Sequence, residues 1–83
     1  MRLDPKFELD CVAGQHMLVD SASDCVFGIN EPAAWLWERI GQQDFDEPLL
    51  VEWLCAEYDV DPLRAKADVH NIVLLWQKYG MLL

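Results

Sequence analysis

Two histidines, three cysteines and fifteen carboxylates are the side chains of this 83-residue chain that could do acid–base, nucleophilic or metal chemistry. Each chemistry needs them clustered, as a nucleophile beside a base or as several ligands on one element. His16 and His70 stand far apart on different predicted elements, and neither has a Cys or carboxylate at the spacing of a zinc site. His70 falls on the polar side of the last predicted helix and reads as a solvated surface residue. Cys11, Cys25 and Cys55 are odd in number and widely spaced, which fits neither a disulfide framework nor a zinc knuckle. They read as small buried hydrophobes, a common state of free Cys. No glycine-rich phosphate loop is present. The acids scatter over helix starts and turns, where capping and the helix dipole account for most of them. These residues predict a protein without catalysis, metal or cofactor.

Composition narrows the class further. Residues 1–83 make a single domain, short enough that its core must be thin. Four tryptophans and a hydrophobic content of 53% supply that core and exclude a disordered chain. The formal charge of -9 repels phosphate and anionic lipid, so neither nucleic acid nor a membrane surface is an expected partner. No apolar run approaches the roughly 20 residues that span a bilayer, and no signal-peptide pattern is seen. The expected location is cytoplasmic.

The elements are organised around Val26-Phe27-Gly28-Ile29-Asn30-Glu31-Pro32-Ala33-Ala34-Trp35-Leu36-Trp37. Asn30 can cap a helix, and Pro32 tolerates the first turn, where its missing N–H has no partner to lose. Ala33, Leu36, Trp37 and Ile40 then recur at helical spacing, so the period changes from 2 to 3.6 at Asn30. Before it, the alternation in Phe7–Cys11, the stretch His16–Asp20 and Cys25–Ile29 predict three strands in a meander, each outer strand with one free edge. Met1–Lys6 is an expected lead-in with little structure. After the first helix, which Gly41 ends, Asp46 caps a second helix with Leu50, Val51, Leu54 and Tyr58 on its apolar face. Asp61-Pro62 opens a third, with Ala65, Val69, Ile72, Trp76 and Tyr79 as its buried seam. Met81-Leu82-Leu83 is an apolar tail expected to fold back on the core.

Some residues are left over. Trp35 points opposite to the first helix's apolar face at about 100° per residue. It is expected to contact a partner enzyme or a second copy. Ile72-Val73-Leu74-Leu75-Trp76 makes the third helix apolar nearly all round, with Leu74 almost opposite Ile72, as for a helix buried on more than one side or forming a binding surface. Arg64, Asn71 and Lys78 are seven apart and form a line flanking Leu75. Three helices beside a small sheet also raise a winged helix that binds DNA. The second helix, however, has no Lys or Arg between Asp46 and Tyr58, so the basic stripe of a recognition helix is missing.

Taken together, the chain resembles the PqqD-like family, also called RiPP recognition elements. The resemblance rests on Leu18-Val19-Asp20 and a turn, Val26 to Ala34 with Trp37, Glu57-Tyr58-Asp59-Val60-Asp61-Pro62, Ala67-Asp68-Val69, and Gly80-Met81-Leu82. Ile29 stands where the usual family sequence has Leu. Gly28 replaces a longer residue, which loosens the strand or makes room for a ligand side chain. The resemblance implies an α+β fold, a three-stranded antiparallel sheet followed by three helices, winged helix-turn-helix-like. It implies a non-catalytic peptide chaperone that binds the leader part of a ribosomally made precursor peptide. The rest of the peptide is presented to a modifying enzyme, often of the radical SAM type. In the namesake system the product is pyrroloquinoline quinone.

The implied site is a cleft between the third strand and the third helix. Here that covers Val26, Phe27, Gly28 and Ile29 with Arg64, Asp68, Asn71, Leu74, Leu75 and Lys78. An extended peptide can add to the strand edge through main-chain bonds. Leu75 is expected to line an apolar pocket, Leu74 to close its rim, Arg64 and Lys78 to steer acidic peptide residues, and Gly28 to allow close approach in the cleft. The alternative is a homodimeric interaction module that regulates an enzyme without binding a leader peptide. Because no ligand cluster is visible, elemental analysis of the purified protein is expected to find no stoichiometric zinc or iron. Either metal would revive an enzyme reading.

Overall fold

A computed structural model describes all 83 residues. Three antiparallel strands, β1 (Phe7–Val12), β2 (Gln15–Asp20) and β3 (Val26–Ile29), form one sheet in the order β1-β2-β3. Three helices follow, α1 (Glu31–Ile40), α2 (Glu47–Glu57) and α3 (Pro62–Lys78). The β1–β2 turn is tighter than the sequence suggests. Ala13 (φ 53°) and Gly14 (φ 79°) are both left-handed, as a two-residue type I′ turn requires, so Val12 and Gln15 join the ladder.

Each helix starts where its cap stands. Asn30, Asp46 and Asp61 accept hydrogen bonds from the N–H groups of Ala33, Leu49 and Leu63 at 2.9, 2.9 and 2.8 Å. A proline sits in the first turn of every helix. Gly41 closes α1 with φ 59° and donates to the Trp37 carbonyl at 3.2 Å.

The core lies where the sheet and the three helices converge, with α1 packed on β1 and β2 and α3 packed on α2. Trp76 is its centre, 2% exposed, and meets Trp37 and Phe45 edge-on at centroid distances of 5.3 and 6.2 Å. The apolar tail does fold back, since Met81 is buried. The lead-in, in contrast, is ordered. Leu3 is buried and bridges Leu82, Asp4 N–H donates to the Met81 carbonyl at 2.8 Å, and Leu83 N–H donates to the Arg2 carbonyl at 2.9 Å. This pairing holds the end of α3 against the sheet side of the molecule. Sequence periodicity cannot show it, because the two segments lie at opposite ends of the chain.

All three cysteines depart from expectation. Cys11 and Cys25 are exposed and Cys55 is half-buried, so none is a fully buried core residue. Tyr79 also leaves the predicted seam. It is 46% exposed, one residue past the helix, with its ring 5.1 Å from that of Phe27. Replacing Trp76 with Ala is expected to cost about 3–5 kcal/mol in chemical denaturation, the usual loss for a buried aromatic. Retention of wild-type stability would show that the indole does not organise the core.

Candidate functional site

Hydrogen-bond direction along the sheet selects one edge. In an antiparallel pair, opposed residues alternate between exchanging N–H···O bonds and not. Ser21 N–H donates to the Lys6 carbonyl at 3.0 Å, and Asp20 N–H donates to the Cys25 carbonyl at 2.9 Å. Odd-numbered residues of β2 therefore bond to β1 and even-numbered ones to β3. In the observed register, Leu18↔Phe27 and His16↔Ile29 are the bonded pairs, whereas Val19↔Val26 and Met17↔Gly28 are not. The N–H and C=O groups of Val26 and Gly28 point away from β2 to the free edge.

The other edge is closed near its two ends by its own chain. Along β1 the outward groups belong to Phe7, Leu9 and Cys11, by the same alternation. Phe7 N–H donates to the Asp4 carbonyl at 3.2 Å, and Cys11 N–H donates to the Asp10 carboxylate at 2.8 Å. Glu8 and Asp10 add charge along that strand, a usual protection of edges. β3 carries no charge and no such bonds, so it is the edge left open to an extended ligand.

Side chains complete the site. Phe27 and Ile29 face the helices and pack against the core, while Val26 and Gly28 face solvent. Between β3 and α3 lies a cleft of about 420 Å³, lined by Val26 to Asn30, Ala33, Ile72, Leu75, Trp76, Tyr79 and Met81. The structure thus brings Val26, Phe27, Gly28, Ile29 and Leu75 together, with Leu75 51% exposed on the helical wall. Sequence reading places Ile72 and Tyr79 in the core seam and Met81 in the apolar tail, and names none of them as a site residue. Stepping three or four residues from Leu75 along the helix reaches Ile72 and Tyr79, and this is the signal that could have found them.

The remaining candidates do not line the cleft. Arg64 donates to Asp68 at 3.3 Å within α3, which neutralises one of the two expected steering cations. Lys78 has no ion pair and lies 5.7 Å from the Tyr79 ring centroid, so it is the free cation at that end. Asn71 is exposed on the same stripe. Leu74 is 47% exposed and lies outside the cleft lining, because its helical phase turns it away from Ile72 and Trp76. The gap left by Gly28 is also differently placed. Its strand parity puts the missing side chain on the outer face of the sheet, and the cleft meets only its backbone.

Trp35 is half-buried rather than free of the core. Tyr58, just past the end of α2, meets it edge-on at 5.8 Å, and the Arg39 guanidinium lies over the Trp35 and Trp53 rings at 5.6 and 4.6 Å. The Tyr58 hydroxyl is held above its ordinary range by burial, then by Glu31 and Glu57. Helical phase alone missed this cover, because it comes from a residue 23 positions later in the chain (58 minus 35). His70 is exposed, as expected, and its Nδ1 lies 3.0 Å from a Glu47 carboxylate oxygen. No group of three or more His, Cys, Asp or Glu residues is placed to hold a metal ion. No helix is long and apolar enough to cross a membrane.

The molecule is a small α+β domain with an apolar cleft beside an open strand edge. Residues 15–82 match the family model described as coenzyme PQQ synthesis protein D (PqqD), and the chain belongs to that family. Two solved structures share its fold over nearly their whole length. "TbiB1 in Complex with the TbiA(beta) Leader Peptide" has a TM-score of 0.77 at 18% identity, covering 99% of this chain and 94% of that one. "Lasso peptide synthetase B1 complexed with the leader peptide" has a TM-score of 0.76 at 25% identity, covering 99% and 95%. Among curated proteins no significant match is found.

Truncating Trp35 now has a different expected outcome from that of a free surface residue. An aromatic pair adds about 0.5–1.5 kcal/mol beyond its buried area, and a fully buried Trp is worth about 3–5 kcal/mol. Trp35→Ala is therefore expected to cost about 2 kcal/mol in equilibrium denaturation. No measurable loss would return the residue to the free surface.

Proposed function

We propose that this chain is a non-catalytic adaptor that holds an extended segment of a ribosomally made precursor peptide and presents the remainder to a modifying enzyme. The observation that carries this reading is the open β3 edge facing the apolar cleft under α3. Val26 and Gly28 supply N–H and C=O groups at fixed spacing, which hold a backbone whatever its sequence. Peptide side chains level with Phe27 and Ile29 turn inward, because side chains on neighbouring strands share a face. There they meet Leu75, Ile72 and Tyr79. The two similar structures, each a complex with a leader peptide, support the same use of this fold. Lys78 steers acidic peptide residues through the on-rate, an effect that weakens with salt.

The partner enzyme is of the radical SAM type in this reading, and Trp35 with Arg39 and Trp53 is the surface it would meet. That surface lies on α1 and α2, outside the cleft lining, so both partners can bind at once.

Two substitutions test the site with a peptide selected from a random display library. Leu75→Asp places a charge in the apolar wall and is expected to abolish binding in a titration that wild type saturates. Gly28→Pro removes an N–H that faces the edge. It is expected to weaken binding about five- to tenfold, the worth of one main-chain hydrogen bond. Phe27→Pro instead breaks a bond to Leu18 inside the sheet and lowers stability. Wild-type affinity in both Leu75→Asp and Gly28→Pro would contradict the site.

A further inference from the structure

The outer face of the sheet is open at Gly28, with Met17 and Val26 on one side and Gln15 on the other. Gly28 lies on that face, and a Cβ built there meets nothing within 4 Å. Across the strand pair stands Met17, half-buried although no helix covers this face, and the adjacent cross-strand pair is Val19 and Val26. Val26 is 55% exposed. The next residue in the Met17 row is Asp10 of β1. So the face presents a row of Gly28, Met17 and Asp10 beside a row of Val26, Val19 and Glu8.

A peptide strand added to the edge extends both rows. The peptide residue level with Gly28 has its side chain on the outer face in either strand direction, because neighbouring strands share side-chain parity. A strand glycine with open space beside it is covered well by a cross-strand aromatic ring, which lies flat over the missing side chain. Here the ring would also reach Met17, whose thioether favours contact with an aromatic edge. The peptide Cα lies about 10 Å from that of Met17, two strand spacings away, which the two side chains reaching toward each other bridge.

We propose that Gly28 and Met17 form an outer-face subsite for an aromatic side chain of the bound peptide, flanked on both sides by residues that enter the cleft. The ligand is then an extended segment with an aromatic residue between two inward apolar ones. This rests on the adaptor reading above and adds a specificity determinant to it. The subsite lies on the face opposite the cleft, so it can fail while the cleft stands.

The test selects peptides from a random display library on wild type and on Gly28→Val. Valine suits a strand and meets open space, so the variant is expected to fold. Wild type is expected to enrich an aromatic residue at one position with apolar residues on either side. Gly28→Val is expected to lose the aromatic preference and keep the flanking ones. In the wild-type complex, the Met17 methyl resonance, identified through Met17→Leu, is expected to move upfield under the ring current. Peptides enriched without a positional aromatic, an aromatic preference unchanged in Gly28→Val, or an unmoved Met17 methyl would each overturn the subsite and leave the adaptor reading intact. Failure to enrich any peptide on wild type would overturn both.

Discussion

The alternation of hydrogen-bond direction along β2 is the constraint on which the rest of the structure depends. Because β2 lies between two strands, its odd residues bond to β1 and its even residues to β3. That leaves β3 with two residues, Val26 and Gly28, whose main-chain groups point outward. An exposed strand edge is normally a hazard, since it invites pairing with another chain. This molecule blocks one edge and keeps the other. Asp10 and the Asp4 carbonyl occupy outward donors of β1, while the four residues of β3 are uncharged.

An open edge alone would hold any strand weakly. Selectivity needs a second wall, and the core positions it. Trp76 packs between Trp37 and Phe45 and fixes α3, whose cleft-facing side carries Ile72 and Leu75. The paired chain ends hold Met81 in place as another part of the lining. Tyr79, its ring tilted 44° against that of Phe27 at 5.1 Å, joins the helix end to the strand. The cleft is thus set by long-range packing, whereas its hydrogen-bonding edge is set by local strand chemistry.

That division explains what could be read from the sequence. All three helix starts were legible because a capping Asn or Asp and a proline act within a few residues. The meander and the site strand were legible from period-2 alternation, and Leu75 from its excess apolarity on α3. Features that depend on residues distant in the chain were not. The order of the lead-in is invisible to local pattern because its partner is the opposite terminus. Helical phase leaves Trp35 free because it takes no account of Tyr58, and it places Tyr79 in the core because it ignores the end of the helix. Leu74 and Arg64 show the limit of helical phase. It names a stripe, but not whether that stripe faces the cleft or whether a neighbour such as Asp68 already holds the charge. The cysteines were assigned from their type, and residue type says nothing about strand parity or loop position.

The account stands most directly on which β3 amides meet a ligand. Residue-resolved amide hydrogen exchange, measured on the dilute protein with and without a bound extended peptide, reads this without any substitution. The account predicts that Val26 and Gly28 exchange rapidly when free and become protected in the complex, while Phe27 and Ile29 are protected in both. New protection confined to α1 or α2, with Val26 and Gly28 unchanged, would contradict it.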